Sequence, residues 1–125
     1  MKIFRLEVSR EDFFVKYLLV LNEIFKLSRG TLDVFAQLLF YNDKYKDADK
    51  EDRDAMVFST ATRKRICTRL NISATSLDNF LLTLRKKGLI NKHAIVPGYE
   101  IYYDTHKDLG FVFRIKEEED AKQEN

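Results

Sequence analysis

The sequence predicts a mainly α-helical domain carrying a small antiparallel β-sheet, and three patterns support that prediction. Apolar residues recur at helical spacing through residues 13–27, 32–41 and 66–84, the mark of helices with one buried face. Asn71-Ile72-Ser73 cuts the last of these runs in two, so a helix, a tight turn and a second helix follow one another there. Short stretches near both ends alternate apolar and polar residues, and Pro97-Gly98 sits between two more apolar stretches, as strands and a hairpin require.

Residues 2–8 place Phe4, Leu6 and Val8 on one side and Ile3, Arg5 and Glu7 on the other, which reads as a strand ended by Ser9 or Asp12. From Phe13 to Leu27 the stripe Phe14, Tyr17, Leu18, Leu21, Ile24 and Phe25 is broadened by Leu19 and Val20. A stripe that broad calls for cover on more than one side, from the domain itself or from a second copy of the chain. Ser28-Arg-Gly-Thr31 breaks this helix and starts another, whose inner face is Leu32, Phe35, Ala36, Leu39 and Phe40 and whose end falls near Tyr41 or Asn42. Residues 43–55 hold six acids and four bases with no apolar period, so an exposed loop is expected. Asp47-x-Asp49-x-Glu51 is no calcium loop, because Asp52 and Phe58 stand where that loop needs Gly and Glu. Met56-Val57-Phe58 reads as an edge strand.

In the helix pair, Ile66 and Leu70 face Leu77, Phe80, Leu81 and Leu84, and Cys67 is the small residue where the two helices approach. Thr62 and Ser73 are the expected caps, and Gly88 stops the second helix. Leu89–Val96 and Tyr99–Tyr103 then form a hairpin about a type II turn at Pro97-Gly98. Asp104–Gly110 is a loop, Phe111–Lys116 a last strand, and residues 117–125 a solvated acidic tail. The 125 residues suffice for one core and not two, so residues 1–116 are read as a single domain.

Net charge is only +2, yet its distribution is uneven. From Thr62 to Lys92 eight bases oppose the single acid Asp78, a local charge of +7, while the tail carries −4. Lys and Arg of one sign on one segment suit phosphate neutralisation. Thr75, Ser76, Asn79 and Thr83 share the side of the second helix away from Leu77, Leu81 and Leu84, and such short polar groups hydrogen-bond base edges. Arg63, Lys64, Arg65, Arg69, Lys86, Lys87 and Lys92 flank them as phosphate ligands. The plain alternative is the solvated face of two amphipathic helices.

The spacing Thr62-x3-Ile66-x3-Leu70-x-Ile72-Ser73-x3-Leu77-x3-Leu81-x2-Leu84-x3-Gly88-Leu89-Ile90 resembles the helix-turn-helix of winged-helix DNA-binding proteins. That resemblance implies a winged helix-turn-helix with extra N- and C-terminal strands, a recognition helix over about 73–87 in the major groove, and a β-wing over about 89–103 with Lys92 and His93 near its root. Phe13-Phe-Val-Lys-Tyr-Leu-Leu, Leu27-Ser-Arg-Gly-Thr-Leu, Leu38-Leu-Phe-Tyr-Asn-Asp and Gly88-Leu-Ile-Asn-Lys extend it to RepL-type plasmid replication initiators and related phage proteins. The implied role is non-catalytic binding of double-stranded DNA at an origin or operator of a phage, plasmid or bacterium. The acidic run after Asn42, and Arg65 where an acid or amide often precedes the apolar residue, depart from the pattern.

No enzyme motif competes with this reading. The four glycines are scattered, one cysteine and two histidines offer no metal-ligand spacing, and no nucleophile motif is present. No cofactor, metal or small-molecule substrate is therefore expected. The start Met1-Lys-Ile-Phe-Arg-Leu-Glu lacks the continuous apolar stretch of a signal peptide, so a cytoplasmic protein without a membrane partner is expected. Tyr99, Tyr102, Tyr103, Phe111 and Phe113 suit a core or an interface better than base stacking, and a homodimer is a reasonable expectation. The competing class is a protein-binding adaptor or phage structural module.

Overall fold

The computed structural model describes residues 2–118, and these form five helices: α1 Arg10–Phe25, α2 Arg29–Lys44, α3 Lys50–Val57, α4 Thr60–Leu70 and α5 Ala74–Lys86. All five begin in the same way. Ser9, Ser28, Asp49, Ser59 and Ser73 each accept the backbone N–H of the residue three positions on, which satisfies one orphan donor and contributes roughly 1 kcal/mol per helix.

α2 is the centre of the molecule and packs against the other four helices. Val34, Phe35 and Leu39 are wholly buried on it, and Phe14 and Leu18 of α1, Ile66 of α4 and Leu77, Leu81 and Leu84 of α5 close around them. Gly30 allows a close approach: a Cβ there would stand 2.5 Å from Phe80 Cζ unless the ring moved, so the start of α2 touches α5 where a side chain is missing. Asn22 closes the α1–α2 corner by accepting from Leu27 N–H at 2.8 Å and donating to Leu27 O at 2.9 Å.

The β part of the sequence expectation is overturned. Among the described residues there is no strand, only one isolated antiparallel bridge between Ile90 and Ile95. The winged helix-turn-helix with extra terminal strands is therefore corrected to a five-helix fold without a β-wing. The chain reverses at Asn91–Ala94, where the Asn91 carbonyl side chain accepts from His93 N–H at 3.0 Å and Asn91 N–H donates to Ala94 O at 2.9 Å. That turn returns Ile95 to the core. Pro97-Gly98 does form a turn, with Gly98 at φ 99° and Tyr99 N–H donating to Val96 O, but no strands flank it. Residues 99–103 are drawn instead onto the helices: Tyr99 meets Phe25, and Tyr103 meets Phe13. Side-chain packing overrides strand propensity here.

The remaining expected strands are absent for local reasons. Val57, in the Met56–Phe58 stretch, ends α3 and is buried. Residues 43–55 are no open loop: α2 runs on to Lys44, and α3 begins at Asp49, with Glu51 and Asp52 in its first turn and Lys50 paired to Asp54 at 2.7 Å. Acids at a helix start and an i,i+4 ion pair replace the apolar period that the segment lacks. α4 is capped by Ser59 and not Thr62, whose buried hydroxyl donates to Met56 O at 2.7 Å. Residues 2–8 and 111–118 form no strand. Beyond Glu118 the acidic tail lies outside the described residues.

Candidate nucleic-acid interface

α4 and α5 form the expected pair about a tight turn. Asn71 ends α4 in the left-handed conformation at φ 53°, which Asn tolerates better than most residues. Ile72 N–H donates to Cys67 O, and Ser73 opens α5. Cys67 is half-buried against the core. At the far end Gly88 takes φ 76°, Leu89 N–H donates to Leu84 O and Gly88 N–H to Arg85 O, the paired bonds of a glycine-closed helix end.

Leu77, Leu81 and Leu84 hold α5 to the core, so its outward line consists of Thr75, Asn79, Leu82 and Lys86, all exposed. Two of the expected base readers lie to the side of that line. Ser76 is half-buried with its hydroxyl 3.0 Å from Ser73 Oγ, and Thr83 donates back to Asn79 O at 3.2 Å. Leu82, which the sequence reading assigned to neither face, is exposed because the helical angle that buries Leu81 turns its neighbour outward.

The basic residues divide into three groups. Lys64, Lys86 and Lys92 are exposed and form no ion pair among the described residues, Lys92 at the tip of the Asn91–Ala94 turn. Arg63 and Arg69 are paired, Arg63 with Asp78 and Arg69 with Glu11 of α1 at 3.0 Å. Asp78, the acid that opposes the charge of the segment, is thus neutralised by a helix neighbour. Arg65 donates to Tyr45 Oη at 3.5 Å, and Lys87 donates from Nζ to Phe25 O at 3.1 Å, closing the end of α1. Lys64, Arg65, Thr68 and Arg69 with Tyr41 line an open cleft of about 380 Å3 on the α4 surface.

Elsewhere Asp43 organises the C-terminal segment, a role hidden in the sequence by the acidic run around it. Its buried carboxylate accepts Tyr103 N–H at 3.0 Å and stands 3.4 Å from the Arg10 guanidinium, which lies over the Tyr103 ring. Two pKa shifts stand outside the helix pair. Burial raises the Tyr17 phenol above its usual value, and the His106 backbone N–H is the main cause that lowers the exposed Asp104 carboxyl below its own.

Among the described residues no group of three or more His, Cys, Asp or Glu is placed to hold a metal, and no helix is long and apolar enough to cross a membrane. No family model, curated protein or solved structure matches the chain.

Proposed function

We propose that the chain is a non-catalytic double-stranded DNA-binding protein, with α5 entering the major groove and α4 lying across the backbone. The observation that carries this reading is that Thr75 and Asn79 face outward on α5 while exposed bases stand on α4 (Lys64), on α5 itself (Lys86) and in the turn after it (Lys92). In this arrangement Thr75 and Asn79 address base edges, Asn79 suiting adenine, and Leu82 packs on a thymine methyl. Lys64, Lys86 and Lys92 hold phosphates directly, while Arg63 and Arg69 exchange weak exposed carboxylate pairs for phosphate. Lys87 holds α1 and is left out of the contact. The setting proposed from the sequence resemblance is an origin or operator of a phage, plasmid or bacterium.

Selection of bound duplexes from a random pool tests the reading. An enriched motif is expected, and Asn79→Ala is expected to narrow the gap between that motif and random duplex by about 1–3 kcal/mol while leaving random-duplex affinity nearly unchanged. Equal losses on both DNAs would remove Asn79 from base reading. Exposed Leu82 favours a second reading, a protein-binding adaptor that uses the same helix face. Under that reading no duplex is enriched.

A further inference from the structure

The bases of α4 face two ways. Arg63 is turned to Asp78 on α5. Arg65 and Arg69 stand about 200° and 240° further round the helix axis, where Arg65 donates to Tyr45 Oη at 3.5 Å and Arg69 meets Glu11 of α1 at 3.0 Å. Together with Lys64, Thr68 and Tyr41 they line the open cleft of about 380 Å3, so the cleft is built by α4 and the end of α2. Its volume falls within the range of small-ligand sites, roughly 300–1,000 Å3. The cleft also gathers charge that the fold does not neutralise. Arg65 and Arg69 lie one helical turn apart, a spacing at which like charges repel, and Lys64 forms no ion pair among the described residues. Glu11 is the one acid paired with the lining among those residues, so the three lining cations keep a charge of +2 with it. Lys44, over the Tyr41 ring at 5.9 Å, adds a further cation beside them.

We infer that this cleft binds a phosphate dianion, free or at the end of a phosphomonoester, with Arg65 and Arg69 as forks on its oxygens, Lys64 as a point charge and Thr68 as a hydroxyl donor. The arginines are already positioned for this. The Arg69 guanidinium lies over the Phe40 ring at 5.7 Å and the Arg65 fork rests on the Tyr45 hydroxyl, so less freedom is lost when an anion arrives. Charge selects the ligand class. A phosphomonoester carries about −1.5 to −2 near neutral pH and neutralises the cleft, whereas a carboxylate or a backbone diester brings a single charge. The Tyr41 ring and the arginine and lysine stems supply apolar surface for the group that bears the phosphate. Lys64 and Arg69 are shared with the duplex contact proposed above, but the inference does not rest on duplex binding.

Amide NMR titrations of the full chain with inorganic phosphate, deoxyadenosine monophosphate and dimethyl phosphate, at constant ionic strength, test the inference. Saturable shifts at residues 64–69 are expected for the first two with Kd below about 10 mM, and binding of dimethyl phosphate at least about ten-fold weaker. Tighter binding of the mononucleotide identifies a phosphomonoester as the ligand, and equal binding identifies phosphate itself. Arg65→Gln with Arg69→Gln is expected to weaken phosphate binding about ten-fold or more. Lys64→Gln with Thr68→Ala breaks no ion pair among the described residues and is expected to weaken it about five-fold with helix content unchanged. Lys16→Gln, which removes an exposed base outside the lining, is expected to leave it unchanged. Shifts that never saturate, or that spread equally over exposed bases outside the cleft, would overturn the inference. So would dimethyl phosphate binding as tightly as phosphate, or full phosphate affinity in both double variants. Each of these readouts is independent of whether a duplex binds.

Discussion

Asp78 is the residue on which the charge argument turns. As a bare carboxylate it would repel phosphate at the start of α5, but it lies against Arg63, and both side chains are partly exposed. An exposed pair of this kind contributes about 0–1 kcal/mol, so Arg63 is easily released to a phosphate. Asp78→Asn is expected to raise affinity for random duplex roughly five-fold at low salt, equivalent to about 1 kcal/mol. Anisotropy titration measures it, and an unchanged affinity would remove this face from the contact. Asp43 governs stability instead. Replacing it by Ala leaves Tyr103 N–H without its acceptor and Arg10 without its carboxylate, for an expected loss of about 1–3 kcal/mol in urea denaturation. Tyr103→Phe removes only the bond to Val8 O and is expected to cost about 0.5–1.5 kcal/mol.

At the scale of elements, what the sequence made legible was what repeats with an apolar period. α1, α2, α4 and α5 all carry such a period, and Ser73, Asn71 and Gly88 marked the turn and the stop within a residue of where they act. α3 was not legible, because Val57 is its one buried residue and it rests on Asp49, on first-turn acids and on an ion pair. The wing was misread because Pro97-Gly98 is the stronger turn signal, whereas the Asn91 side chain makes the earlier turn that sends Ile95 into the core. Among the candidate residues, Thr75, Asn79, Lys64, Lys86 and Lys92 are exposed, as their residue types and spacing predict. The ion pairs of Arg63 and Arg69 and the anchoring of Lys87 depend on α1 and on helix crossing, which no local pattern encodes. The α2–α5 crossing has its own test. Gly30→Ala forces a methyl group against the Phe80 ring and is expected to cost about 1–3 kcal/mol, less up to about 1 kcal/mol of gained helix propensity. Phe80→Leu in the same chain is expected to recover part of the loss. A Gly30→Ala protein more stable than wild type would mean that the two helices are not in close contact.

Over the whole molecule, the proposed DNA binding requires that charge around α4 and α5 outweigh a nearly balanced total. Anisotropy of a labelled random duplex, titrated at several salt concentrations from about 50 to 300 mM, tests this most directly. Lys64, Lys86, Lys92, Arg63 and Arg69 acting on phosphates predict that log affinity falls against log salt with a slope of about −3 to −5. Lys64→Glu with Lys86→Glu is predicted to flatten that slope by about 2. Duplex affinity that is absent at the lowest salt, or indifferent to salt and to both substitutions, would mean that this surface does not bind duplex DNA.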